Sequence, residues 1–214
     1  MSSFADRWQK KDPPLFSKVK DRITPSNPIR PRIEIAERKI KIQMSRMEIA
    51  LSRISDRDAY IFRKVVLACQ RQDPQRASIY ANELSEVRKL GTLVTQAKLA
   101  LHQVVLRLNT VRDLGDAVNV ISPVLSVVKN VGSNLSHIVP EAQGEIGEIS
   151  NLLGDILVDA GGIGDNNHIN VEATNEEADK ILSEASALAE KRMKDLFPAI
   201  ATPQLQQEQK PIDI

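Results

Sequence analysis

The sequence is poor in aromatic side chains, in cysteine and in long apolar runs, and each shortage excludes something. Aromatic residues make up 3% of the chain, four Phe, two Tyr and one Trp. Leu, Ile, Val and Ala must then supply the buried surface, as they do in helical hairpins and bundles. A single cysteine, Cys69, cannot form a disulfide within the chain, which suits a reducing cytoplasm. Cys69 lies in an apolar run and reads as a small buried hydrophobe rather than a nucleophile. No unbroken apolar stretch reaches the roughly 18–20 residues that span a bilayer. The nearest, Val118 to Val139, is interrupted by Asn119, Lys129, Asn130 and Asn134. Asp6, Arg7, Lys10, Lys11 and Asp12 fall where a signal peptide would hold its apolar core. The expected location is cytoplasmic, or peripheral on the inner face of the cell membrane.

Signatures of catalysis are missing as well. His102, His137 and His168 are far apart and lack partners at ligand spacing, and no HExxH, CxxC or GxSxG motif occurs. The run Asp159-Ala-Gly-Gly-Ile-Gly-Asp165 is rich in glycine but is not followed by Gly-Lys-Ser/Thr, so it reads as a hinge rather than a phosphate loop. A calcium loop starting at Asp165 fails at its sixth position, which holds Asn170 instead of Gly. No catalytic residue, cofactor or metal is assigned, and the chain is not expected to be an enzyme.

What the chain does have is a charge gradient. Its net charge of +1 conceals 17 Lys/Arg against 8 Asp/Glu in residues 1–72, and 5 against 15 in residues 139–214. A basic front and an acidic back imply two partners, or one half folded against the other.

Apolar spacing organises the middle of the chain. Ile33, Ile40, Met47, Ile54, Ile61 and Ala68 recur every seven residues, with Met44, Leu51 and Val65 between them. Neither Gly nor Pro interrupts this run before Asp73-Pro74, so it predicts a helix of about 40 residues, roughly 60 Å long. Asp73 as N-cap and Pro74 at the first helical position restart the chain. Tyr80, Val87, Val94, Leu101 and Leu108 then repeat by seven, as do Leu90, Ala97, Val104, Val111 and Val118. Two long amphipathic helices joined at one tight corner must form an antiparallel hairpin.

Val120 to Val131 is rich in β-branched residues, yet Ile121, Leu125, Val128, Gly132 and Leu135 keep helical spacing, so a helix bent near Pro123 is expected. A shorter helix follows from Glu141 to about Asp159. Thr174-Asn-Glu-Glu177 reads as a capping box that opens a last helix reaching about Leu196. The fold class is therefore all-α: a long antiparallel hairpin, shorter helices and a flexible tail. By residue, 1–24 form an N-terminal membrane-binding segment, 25–160 the helical core, 161–173 a flexible linker, 174–196 the last helix and 197–214 a disordered tail.

The N-terminal segment sets Lys10, Lys11, Lys18, Lys20 and Arg22 around Phe4, Trp8 and Phe16. Basic charge beside aromatics is the composition of an interfacial anchor for acidic membrane lipids. Arg30, Arg32, Arg38, Lys39, Lys41, Arg46, Arg53, Arg63 and Lys64 extend the basic character along the first helix. A solvated basic face plus a loose terminus would give the same composition. Nucleic acid would meet the same charges, but it is disfavoured because its backbone offers nothing to the apolar side chains.

The run PIRPRIEIAERKIKIQMSRMEIALSRISDRDAYIFRKVVLACQRQDPQRASIYANELSEVRKLGTLVTQAKLALHQVVLRLNTV, with shorter helices and an acidic tail after it, resembles the archaeal CdvB group of the ESCRT-III family over residues 25–200. The resemblance rests on overall pattern more than on a short signature. It implies an ESCRT-III core that opens and polymerises into filaments on membrane, with itself and with paralogues. It also implies disassembly by an AAA ATPase whose MIT domain grips the tail. A C-terminal winged-helix extension that recruits CdvA has no counterpart before Ile214, so a short paralogue is expected, without direct contact to CdvA. Of the tail motifs, Glu184, Leu188, Arg192 and Leu196 approximate the helical type. Leu196-Phe197-Pro198-Ala-Ile200 with Pro203 and Leu205 approximates the proline type, which is favoured. The heptads alone would equally suit a soluble coiled-coil adaptor.

The charge gradient adds one expectation about control. The acidic back half should cover the basic hairpin while the protein is soluble, with the hinge near Gly161 to Asn170, so that truncation after Asp159 frees the hairpin to assemble.

Overall fold

A computed structural model describes residues 29–114, 117–136, 138, 140–161 and 171–197. Those residues form five α-helices and no strand: α1 Ile29–Gln70, α2 Pro74–Leu114, α3 Ala117–Leu135, α4 Pro140–Asp159 and α5 Val171–Leu196. The N-terminal segment and the tail beyond Phe197 lie outside the described residues.

α1 and α2 form the expected hairpin. Pro31 sits in the first turn of α1, where its missing N–H leaves no bond unmade. At the far end Gln72 takes the left-handed conformation, with φ +53°. The Gln72 N–H donates to the Cys69 carbonyl at 3.0 Å, and the Asp73 N–H to the Ala68 carbonyl at 3.0 Å. These two bonds close α1. Asp73 then caps α2, its Oδ1 accepting the Arg76 N–H at 3.1 Å.

The seam follows the heptads. Ile33, Ile40, Met47, Ile61 and Ala68 are buried, as are Val94, Leu101, Leu108, Ala97, Val104 and Val111. Two positions depart from the pattern. Leu90 is 40% exposed, because its neighbour Gly91 faces inward instead and accepts the Met193 side chain of α5. A Cβ on Gly91 would lie 2.8 Å from Met193 Cε and 3.3 Å from Ile54 Cγ2. Cys69, expected inside, is exposed. Ala68 holds the seam, and a helix turns about 100° per residue, which carries Cys69 out to solvent.

α3 runs through Pro123 as a helix, so periodicity outweighed β propensity. It packs on α2, α4 and α5; α4 packs also on α1, and α5 on α2. Gly132 lets α3 and α4 approach, since a Cβ there would stand 3.0 Å from Ile146 Cγ2. Together these helices bury one continuous core against the open end of the hairpin. The hairpin tip has a separate small cluster: Ile61, Val65 and Leu84, with Phe62, Tyr80 and Val87 against them. α5 starts at Val171, so Thr174 lies inside the helix rather than capping it.

Candidate membrane and assembly surface

The acidic back half does lie on the basic hairpin. Arg32 of α1 bonds Asp159 and stands 3.9 Å from Asp155, both on α4. Lys39 Nζ meets Glu148 Oε2 at 2.6 Å, and Arg46 meets Glu145 Oε1 at 2.6 Å. Gln43 adds a hydrogen bond to Glu145. The Lys39 ammonium, by donating to Glu148, holds that carboxyl below its ordinary range. α4 is thus a row of four carboxylates clamped along one edge of α1. α5 instead pairs with α2, through Arg107 to Glu177 and Gln103 Nε2 to Glu184 at 3.2 Å.

The outward face of α1, opposite the seam and next to the clamped edge, carries a second apolar row. Ile35, Ile42 and Ile49 are 41%, 51% and 55% exposed, and Tyr60 and Leu67 continue the row at 45% and 50%. Ile35, Ile42 and Ile49 are seven apart, as are Arg53, Tyr60 and Leu67. At 3.6 residues per turn all six fall within about 40° of arc. Arg38, Lys39, Arg46, Arg57 and Lys64 border this row; Asp56 is the carboxylate that α1 itself places there, while Glu148, Glu145 and Glu83 of the neighbouring helices pair with Lys39, Arg46 and Arg57. Large apolar groups flanked by cations, interrupted once by Arg53, line this face of α1 from Ile35 to Leu67. In the sequence the stronger seam heptads mask this second series. The exposed isoleucines at positions 35, 42 and 49, offset by two from the seam, were its signal.

A buried ion pair marks where α5 ends. Arg88 Nε donates to Asp58 Oδ2 at 2.7 Å, and Asp58 is 5% exposed. The Arg88 guanidinium also faces the Phe197 ring, 5.5 Å from its centre. Of the expected tail-binding residues, Phe197 is half-buried here and Leu196 is 65% exposed. Pro198, Ile200 and Pro203 lie outside the described residues, as do Phe4, Trp8, Lys10, Lys11, Phe16, Lys18, Lys20 and Arg22.

Among the described residues, no three His, Cys, Asp or Glu side chains gather as a metal site. No described helix is long and apolar enough to cross a membrane.

The chain is 34% identical to Cell division protein B1 of Sulfolobus acidocaldarius over 207 residues, 97% of this chain and 94% of that protein. It belongs to the archaeal CdvB group of the ESCRT-III family. A second relative, Cell division protein B of the same organism, is 30% identical over 165 residues, 77% of this chain and 63% of that longer protein. No family model matches the chain, and no solved structure matches it. The expected resemblance therefore holds over nearly the whole CdvB-type chain, and the all-helical fold with its long hairpin agrees with it.

Proposed function

We propose that this chain is a subunit of a membrane-bound filament that remodels or constricts membrane in archaeal cell division. The outward face of α1 is the observation that carries this reading. An apolar ridge bordered by cations suits the boundary between acidic headgroups and acyl chains. Lys39 and Arg46 lie on the border of that face and are also held by Glu148 and Glu145 of α4. An acidic membrane and α4 therefore compete for the same two cations. Membrane contact would loosen α4 and free its apolar side for neighbouring copies, the subunit itself or paralogues.

The other partners follow the family. The N-terminal segment, with Phe4, Trp8, Phe16 and its lysines, would add grip on the inner face of the cell membrane at the division site. Leu196, Phe197, Pro198, Ile200 and Pro203 would form the handle for the MIT domain of an AAA ATPase. The chain itself would do no chemistry. A soluble coiled-coil adaptor is the weaker reading, because the heptad seam is consumed between α1 and α2 and is not free for a partner.

Co-sedimentation with acidic and neutral vesicles, followed by electron microscopy, tests the proposal. The whole chain should pellet with acidic vesicles as filaments. Ile42→Asp with Ile49→Asp should abolish pelleting while leaving the helix content unchanged. Equal pelleting of this variant and the parent would remove the α1 face from the reading, and no pelleting of the parent would favour the adaptor.

A further inference from the structure

The hairpin tip holds a small cavity that neither the seam nor the α1 ridge explains. It measures about 130 Å³ and is lined by Lys64, Leu67 and Ala68 of α1, Arg71 and Asp73 of the corner, and Arg76 and Tyr80 of α2. Three cations face one carboxylate. That carboxylate is already engaged: Asp73 Oδ1 accepts the Arg76 N–H, and Asp73 Oδ2 lies 3.3 Å from Arg76 Nε. Lys64 and Arg71 have no carboxylate within ion-pair distance among the described residues. Lys64 instead lies against two rings, its Nζ 4.6 Å from the centre of Tyr60 and 5.2 Å from that of Tyr80. Its hydrogen bond with Tyr60 keeps the ammonium pKa above its ordinary value. The corner between these cations carries the one residue other than glycine that shows positive φ among the described residues, Gln72, and strained backbone gathers at sites where geometry matters.

We propose that this cavity binds a phosphoryl group. Arg71 has no carboxylate partner among the described residues, and Lys64 has a tyrosine hydroxyl in hydrogen-bond reach with Glu83 acting on it only from farther away, so the concavity favours an anion, and an arginine fork beside a lysine point charge matches phosphate oxygens. The volume is well below the roughly 300–1,000 Å³ of ordinary small-molecule pockets. That is room for one phosphoryl group inside, with any larger remainder of the ligand left in solvent. Leu67, Ala68 and Tyr80 supply an apolar wall, which fits a phosphomonoester whose carbon skeleton leans on that wall. The α1 ridge ends at this place, with Leu67 common to both. A phosphomonoester could be a lipid headgroup or a free small molecule, and the two sources separate by experiment. The proposal stands without the membrane reading, because a soluble phosphate would bind whether or not the chain touches membrane.

Two titrations of the full chain test it. In the first, glycerol phosphate and sodium chloride of matched ionic strength are added to isotope-labelled protein, and backbone amide shifts are read. Shifts confined to Lys64–Tyr80, saturating with glycerol phosphate and absent with chloride, are expected. The variant Lys64→Gln with Arg71→Gln should weaken that binding about tenfold, while Lys180→Gln with Lys191→Gln, which removes the same charge on α5, should leave it unchanged. In the second, vesicles of phosphatidic acid and of phosphatidylserine are matched in surface charge. A preference for phosphatidic acid that the tip variant loses makes the headgroup a source, whereas saturable binding of glycerol phosphate with no vesicle preference makes the ligand a soluble phosphomonoester. Amide shifts that are absent, that spread over the chain, or that survive in the tip variant overturn the proposal. Loss of vesicle pelleting in the α1 ridge variant with the glycerol phosphate shifts intact separates the two readings.

Discussion

The guanidinium of Arg88 sits 5.5 Å from the centre of the Phe197 ring while its Nε holds buried Asp58 at 2.7 Å. One side chain of α2 therefore satisfies a carboxylate of α1 and fastens the end of α5. The two contacts differ in weight. A partly exposed cation–π contact is worth about 0.5–1 kcal/mol, whereas removing one partner of a buried ion pair costs about 3–5 kcal/mol, less here because Arg88 keeps some solvent. Phe197→Ala should leave the melting temperature nearly unchanged but speed hydrogen exchange in the last two turns of α5. Arg88→Ala should lower stability by about 2–3 kcal/mol, and Asp58→Asn together with Arg88→Gln should recover part of it. If Phe197→Ala leaves exchange unaltered, Phe197 does not fasten α5.

The position of Phe197 also bears on the tail handle. If Leu196–Pro203 is the MIT-domain handle, its first ring is docked on the hairpin before any ATPase arrives. A peptide spanning Lys191 to Ile214 should then bind the cognate MIT domain more tightly than the full chain does, and Phe197→Ala in the peptide should weaken it. Equal affinity of peptide and full chain, measured by calorimetry, would mean that docking of Phe197 does not mask the handle, and a peptide that fails to bind would place the handle elsewhere.

The carboxylates that hold α1 belong to α4 and not to α5. Truncation after Asp159 removes α5, whose ion pair is with α2, and leaves the α4 carboxylates on Arg32, Lys39 and Arg46. That truncation should expose the α5 side of the core yet leave α1 clamped. Glu145→Gln with Glu148→Gln should do what the truncation does not: raise vesicle binding at fixed salt. Acid acts in the same direction. Glu148 has a folded pKa below its ordinary value of 4.5, so its contribution is present above that value and is lost as the pH falls through the lower folded one. Vesicle binding of the parent should therefore rise towards that of the double variant as the pH drops below about 4.5, with the double variant flatter across the window. Parallel curves would show that the α4 clamp does not control access to α1.

Much of this architecture was legible in the sequence, for a physical reason. Seven-residue spacing of Ile33 to Ala68 and Tyr80 to Leu108 fixes which faces of two helices meet, and Asp73-Pro74 fixes where they turn. The charge gradient predicted that acidic residues would lie on basic ones. It did not say which helix would carry them, because total charge is blind to position. Gly91 costs α2 helix propensity, yet its missing side chain is the space that Met193 fills. Cys69 looked buried because an apolar run hides the rotation of a helix by one residue. Thr174 has the chemistry of a cap, but the helix began three residues earlier.

Two glycines separate packing from propensity. Gly91→Ala gains up to about 1 kcal/mol of helix propensity. Its new Cβ would meet Met193 Cε, the end of a flexible side chain, and stand 3.3 Å from Ile54 Cγ2, so Met193 should shift, Ile54 should give slightly, and the net change in stability should be near zero. Gly132→Ala gains the same propensity but presses its Cβ on the branched Ile146, 3.0 Å away. A β-branched side chain has one strongly favoured rotamer in a helix, so α3 and α4 must part. Gly132→Ala should destabilise by about 1–2 kcal/mol and raise vesicle binding by loosening α4 from the core. Chemical denaturation measures the first effect and co-sedimentation the second. A stabilised Gly132→Ala would mean that Ile146 repacks freely.

Gln72 offers the sharpest test of the corner. Its φ of +53° places a side chain in the left-handed region that glycine occupies without a clash. For other residues the left-handed conformation costs about 1–2 kcal/mol. Replacing Gln72 with Gly removes that strain but also loosens the unfolded chain, an opposing change of about 0.5–1 kcal/mol. The balance should favour Gly by a few tenths to about 1 kcal/mol. Gln72→Val has the opposite sign, because a β-branched residue tolerates positive φ worst, and should destabilise by about 1–2 kcal/mol. Both variants keep Lys64, Arg71 and Asp73, so the charge around the tip cavity is unchanged. Thermal unfolding should therefore order the three proteins Gly above Gln above Val. A Val variant as stable as the parent would mean that the corner relaxes away from the left-handed conformation, and with it the bonds from the Gln72 and Asp73 N–H groups that close α1.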